Sequence, residues 1–191
     1  MQLKTILNHV QNFKSFVYTK VSWSGNEQEP ELTIEVSARS NSRPLCPACG
    51  RPGAAYDRLT VRRFEFVPLW GIKVFLVYAP RRVNCPCCGV KVEQMPWALG
   101  KRPLTQAYGW FLARWAKRLS WKETAEIFHA SWESVFRSVE MAVEWGRAHQ
   151  DLTGIHSIGV DEIAWQRGHR YLTLVYQVDS HCKRLLWIGE K

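Results

Sequence analysis

The sequence predicts an α+β chain of several domains, and three observations predict it. A front part of about a hundred residues alternates apolar and polar positions between turn residues, and carries two cysteine pairs. A Pro-free stretch after "MPWALGKRP" then places its apolar residues at three- and four-residue intervals. From Ile155 onward the period returns to that of strands. Apolar residues make up 46% and charged residues 23% of the 191, which excludes wholesale disorder and promises a core.

Leu3, Ile6, Leu7, Val10 and Phe13 recur at helical spacing, and "SFVYTKVSW" and "ELTIEVSAR" flank the turn residues of "SGNEQEP". Residues 1–40 therefore read as a helix and a β-hairpin. Phe64 with Phe66, and Ile72, Val74, Leu76 and Tyr78, alternate on either side of "PLWG", a second hairpin. In the helical stretch, Ser120 and Glu123 have capping-box spacing, and Ser131 can cap a further helix that sets Trp132, Val135, Phe136, Val139 and Val143 on one face. Two such helices joined across "HAS", behind a longer one, are the grammar of a helix-turn-helix over 101–150. "IHSIGVDEIAW", "RYLTLVYQVD" and "KRLLWIGE" are three strands of a last segment, 151–191.

The sharpest local signal is "CPACG" at Cys46 to Gly50 with "CPCCG" at Cys85 to Gly89. Two C-x-x-C pairs offer four thiolates, the tetrahedral set of a structural Zn²⁺, and the glycine after each pair lets a tight knuckle turn its amides toward sulfur. The repeated register selects Cys46, Cys49, Cys85 and Cys88 and leaves Cys87 between them as a spare. Paired knuckles around a hairpin describe a zinc ribbon over 41–100; four buried thiols or a redox pair is the competing interpretation. A closed four-sulfur site stabilises the fold and has no open position for catalysis. Cys182 has no partner pair and reads as a small strand or turn residue.

The formal net charge is +9, and residues 39–102 hold the whole excess, with twelve Lys/Arg against three acids. Nine of those twelve are Arg, whose planar fork suits phosphate, so the segment points to nucleic acid rather than to a merely solvated surface. Arg62 with Arg63, and Arg81 with Arg82, fall near strand ends where a cluster clamps phosphates. The last helix of the helical segment sets Glu133, Glu140 and Glu144 against Arg137, a poor balance for a phosphate groove. Its basic residues precede it, at Arg114, Lys117, Arg118 and Lys122, so DNA contact competes with bundle packing or a dimer contact. The N-terminus lacks the apolar stretch of a signal peptide, and no run approaches the length of a membrane span. The expectation is a soluble cytoplasmic chain with reduced cysteines and no membrane partner.

An Asp-Glu pair at the end of the strand "SIGVDE" is by itself a turn or salt-bridge element. Its position behind a paired-knuckle ribbon and a helix-turn-helix changes its meaning. The stretches "CPACG", "RRVNCPCCG", "SWKETAEIFHAS", "IGVDEIAWQRGHRYLTLVYQVD" and "KRLLWIGE", in that order, resemble the DDE transposases of bacterial insertion sequences, of the ISL-three type. The resemblance covers about residues 40 to 190. It implies that 151–191 begins an RNase H-like sheet and that Asp161 matches the family's first catalytic aspartate. Glu162 matches a frequent neighbour outside the catalytic triad.

The implied chemistry is phosphodiester cleavage and strand transfer on double-stranded element ends, with three carboxylates holding two Mg²⁺ ions. The family's second Asp and its Glu fall on elements later than the third strand, where this sequence stops; Asp179 and Glu190 do not match them. The resemblance therefore implies a truncated chain without transposition activity of its own, an incomplete RNase H-like sheet, and an uncovered apolar face at Leu172, Leu174, Tyr176 and Leu186. A second copy of the chain or an intact transposase is the implied protein partner. A non-catalytic zinc-ribbon DNA-binding or regulatory protein is the alternative, and a protein-interaction module a third reading.

Overall fold

The computed structural model describes residues 2–98 and 100–190, and these form a mixed α+β chain of four helices and ten strands in three sheets. Contacts divide the chain into two compact units, Met1–Glu144 and Trp145–Lys191.

The first unit opens with α1 (Leu3–Val10), followed by β1 (Phe16–Gly25) and β2 (Pro30–Ala38), the predicted helix and hairpin. Leu7 is buried, but Val10 is 80% exposed, so α1 turns a narrower apolar stripe inward than its spacing suggested. The hairpin is not a separate body. β2 pairs in parallel with β5 (Ile72–Tyr78), which pairs antiparallel with β4 (Arg62–Leu69), giving the order β1-β2-β5-β4. Trp70 and Gly71, both at positive φ, close the tight turn between β4 and β5.

Alternation places Leu32, Ile34 and Val36, Phe64 and Phe66, and Val74, Leu76 and Tyr78 on one buried face. Trp97 is fully buried against that face, with the rings of Phe13, Phe16, Phe64 and Tyr78 around it at centroid distances of 4.8 to 6.2 Å. Such tilted and edge-on pairs add about 0.5–1.5 kcal/mol each beyond area burial. They offset the buried Trp97 Nε1, which has no hydrogen-bond partner among the described residues. The sheet of the hairpin, the helix before it and the segment after the second knuckle thus share one core.

A second, smaller sheet, β3 (Ala54–Arg58), β6 (Arg81–Cys85) and β7 (Gly89–Val92) in the order β3-β6-β7, holds the second cysteine knuckle at the turn between β6 and β7. The strands at 62–78, expected inside the ribbon, belong to the four-stranded sheet instead, because β5 finds β2 as its partner.

Then come α2 (Gln106–Ala116), α3 (Trp121–Ile127) and α4 (Trp132–Ala148). Thr105 caps α2, and Ser120 and Glu123 form both bonds of the capping box. The Ser131 hydroxyl accepts the Ser134 amide at 3.1 Å and so caps α4. The turn between α3 and α4 holds His129 at φ 49 and is tied down by Tyr108, whose hydroxyl donates to the Phe128 carbonyl at 3.2 Å. Thr105, Tyr108, Gly109, Leu112, Thr124, Val135 and Ser138 are the buried residues of this helical segment.

In the second unit, β8 (Ile158–Gln166), β9 (Arg170–Asp179) and β10 (Cys182–Glu190) form an antiparallel meander with β9 in the middle. Leu174 is buried and Leu172, Tyr176 and Leu186 are half-buried, so the apolar face expected to lie open is largely covered. Residues 149–157 are bound to this sheet: the Gln150 amide donates to the Leu186 carbonyl, and the Val178 amide donates to Ser157. Within the sheet itself the apolar positions more than half exposed are Ile158, Val160, Trp187 and Ile188.

Candidate functional site

The knuckles bring four thiols together. The Sγ atoms of Cys46, Cys49, Cys85 and Cys88 all lie within 4.8 Å of one another, Cys46 and Cys85 buried and Cys49 exposed. Gly50 and Gly89 both take φ 70, a left-handed conformation that bends each knuckle back on itself. The Gly50 amide then reaches the Cys46 carbonyl at 2.8 Å. Four sulfurs about 2.3 Å from a central Zn²⁺ stand about 3.8 Å apart, and Cys49 Sγ is 3.6 Å from Cys85 Sγ.

The electrostatics agree with the donor geometry. Backbone amides of Cys87 and Cys88 pull the Cys85 thiol down to about 7, while the Cys49 thiol beside it pushes Cys88 up to about 12. Without a cation the four cannot all ionise, because each thiolate formed raises the cost of the next; a dication removes that cost. The set thus fits a metal such as zinc. Cys87 lies outside it, exposed, with its sulfur 3.3 Å from Arg51 Nη1.

The arginines expected to clamp phosphate are mostly engaged within the fold. Arg81 is only 6% exposed and makes a two-point bond to Glu93, so its charge is spent inside the protein. Its burial follows from the alternation of β6, which turns Arg81 and Val83 inward together. Arg82 grips both oxygens of Asp57 and lies over the Tyr56 ring; Arg63 bonds Glu31 at 2.7 Å and lies over Phe75. Arg62 donates to the Lys101 carbonyl and forms no ion pair among the described residues. Lys117 and Arg118, just after α2, are exposed, and Lys122 faces Glu126 at 3.9 Å. On α4, Arg137 is held between Glu133 and Glu140.

Asp161 is exposed on β8, opposite Leu174 of β9, and accepts the Glu162 amide at 2.8 Å. Asp179 lies five residues further along β9, about 17 Å away at the usual strand rise. It is occupied by the Gln177 side chain and the His156 amide, which hold its carboxyl below the ordinary range. Among the described residues no group of three metal-ligating side chains forms around Asp161, so these residues do not by themselves fit a two-Mg²⁺ centre. Among the described residues no helix is long and apolar enough to cross a membrane.

Fold and site together define a mixed α+β protein with a four-thiol centre suited to a metal ion. By sequence the chain is homologous to the transposases of bacterial insertion sequences. It is 33% identical over 160 residues to the transposase for insertion sequence element IS1557 of Mycobacterium tuberculosis, in strains CDC 1551 / Oshkosh and ATCC 25618 / H37Rv; that stretch is 82% of this chain and 35% of the relative. It is 23% identical over 188 residues, 97% of the chain and 45% of the relative, to the transposase for insertion sequence element IS1001 of Bordetella parapertussis. The chain therefore spans less than half the length of these curated relatives. No family model and no solved structure matches it.

Proposed function

We propose that this chain is the DNA-engaging part of an insertion-sequence transposase of the ISL-three type. The observation that carries the reading is the relationship to two insertion-sequence transposases over most of the chain, and the four-thiol centre within its basic segment supports it. Cys46, Cys49, Cys85 and Cys88 hold one structural Zn²⁺, which cross-links the knuckles of a ribbon too small to build a core from Val83 and its few neighbours alone. Arg62, Lys117 and Arg118, which form no ion pair among the described residues, meet phosphates of double-stranded DNA; Lys122, and more weakly Arg63 and Arg82, add to that field. The helices of 101–150 act as a helix-turn-helix held by the Ser120 cap and the Tyr108 anchor.

Asp161, on the first strand of an RNase H-like sheet, is the first carboxylate of the cleavage centre of the whole protein. Its role here is to present an exposed carboxylate from a strand paired along its length. A second copy of the chain or an intact transposase is its protein partner, in the cytoplasm.

The test is duplex binding and nicking by the chain in Mg²⁺. Salt-sensitive binding without nicking is expected. Nicking that disappears in Asp161→Ala would show that this segment suffices for chemistry, and salt-insensitive or absent binding would overturn the reading.

A further inference from the structure

The front unit contains an open cleft of about 630 Å³ between residues 40–44 and the edge strand β3. Its walls are fixed by backbone and by one buried side chain. The Gly53 amide donates to the Pro44 carbonyl at 3.0 Å, Leu45 bridges to Pro52, and Arg81 Nη1 donates to the Ser42 carbonyl at 3.0 Å. Gly53 sits so close to β6 that a Cβ there would lie 2.6 Å from Val83 Cγ2 and 2.7 Å from the Asn84 carbonyl oxygen. Arg81 is thus a residue that builds the cleft, by holding its far wall.

The charges at the cleft do not cancel. Four ionised groups touch it besides the rest of its lining: Arg43, Arg58, Arg81 and Asp57. Glu93 offsets Arg81, and Arg82 offsets Asp57. Arg43 and Arg58, both exposed, have no carboxylate partner among the described residues. The side chains between them are short, Ser40, Ala54 and Ala55, so a sugar-phosphate chain can come close to the unpaired edge of β3.

We infer that this cleft receives the phosphate backbone of duplex DNA, with Arg43 and Arg58 as its two cationic contacts. The inference rests on the DNA-binding reading above and assigns to it a site different from the expected arginine pairs. Arg58 projects from the end of β3 and Arg43 from the facing loop, so a phosphate strand lying in the cleft meets one guanidinium on each side.

The experiment measures binding of the full chain to a fluorescent random-sequence duplex across a salt series. Each phosphate contact contributes about 0.9 to the slope of log affinity against log salt. Arg43→Ala and Arg58→Ala should each reduce the slope by about one and weaken binding about 5- to 10-fold at moderate salt. Arg58→Lys should keep the slope, Lys20→Ala, an exposed cation paired with Glu35 on the first hairpin, should move affinity less than about twofold, and melting midpoints should stay at the unsubstituted value. A salt-dependent parent whose slope is unchanged in both alanine variants overturns the cleft and leaves the DNA reading standing. A parent that does not bind duplex at all overturns both. Displacement of the duplex by millimolar inorganic phosphate, equal in parent and Arg43→Ala, would also overturn it, since the anion would then be competing elsewhere.

Discussion

The carboxylate of Glu93 and the guanidinium of Arg81 form a buried, fully bonded pair. Arg81 Nε and Nη2 reach Glu93 Oε2 at 3.0 and 2.7 Å, and the other oxygen accepts the Tyr78 hydroxyl at 2.6 Å and the Arg81 amide at 2.7 Å. The pair joins the end of β5, the start of β6 and the exit of β7, so it rivets the four-stranded sheet to the cysteine-bearing one. Removing one partner strands a buried charge, at a cost of about 3–5 kcal/mol. Glu93→Gln and Arg81→Ala should each lower the denaturation midpoint by that measure, and the double variant Arg81→Met with Glu93→Leu should lose less than either. Equal melting of the single variants and the parent would refute the rivet.

That pair marks where sequence reading succeeds and where it stops. The clustering of Cys46, Cys49, Cys85 and Cys88 was legible because the knuckle is local: residue types, a three-residue step and a following glycine suffice. The Ser120 and Glu123 cap was legible for the same reason. What Arg81 does was not, because its partner lies 12 residues on and meets it only through the register of β6 against β7. Arg63 meets Glu31 only because β2 and β5 pair in parallel, and nothing near either residue announces that pairing. Arg43 and Arg58 stood in the basic segment all along; only the pairing of their neighbours singled them out.

Gly53 has no room for a side chain. Gly53→Ala must push β3 away from β6 at Val83 and Asn84, and overpacking of this kind costs about 1–3 kcal/mol. Hydrogen exchange at β3 amides should quicken in that variant, whereas Gly71→Ala, with open space around its Cβ, should strain only its own turn.

The helix cap carries a pH signature. The Ser120 hydroxyl and then the Ser120 backbone hold the Glu123 carboxyl below its ordinary 4.5. A carboxyl depressed in the fold stabilises it fully above that value and loses its contribution as pH falls through the folded one. Ser120→Ala should cost about 1 kcal/mol near neutral pH and move the Glu123 titration, followed by NMR, back up toward 4.5. An unmoved titration would contradict the cap.

Ile158, Val160, Trp187 and Ile188 leave apolar area open on the second unit. Ile188→Lys should reduce light scattering of concentrated solutions and lower binding of an apolar dye. Unchanged scattering and dye binding would show that this surface is not the source.

If a metal-folded front unit grips the phosphates of duplex DNA, as proposed, that grip must depend on both salt and metal. The most direct measurement is duplex affinity against salt, taken before and after zinc is stripped and again after it is restored. The predicted result is a steep fall of affinity with salt, loss of binding on stripping and recovery with one equivalent of Zn²⁺. Affinity that ignores salt, or that survives complete removal of the metal, would contradict the account.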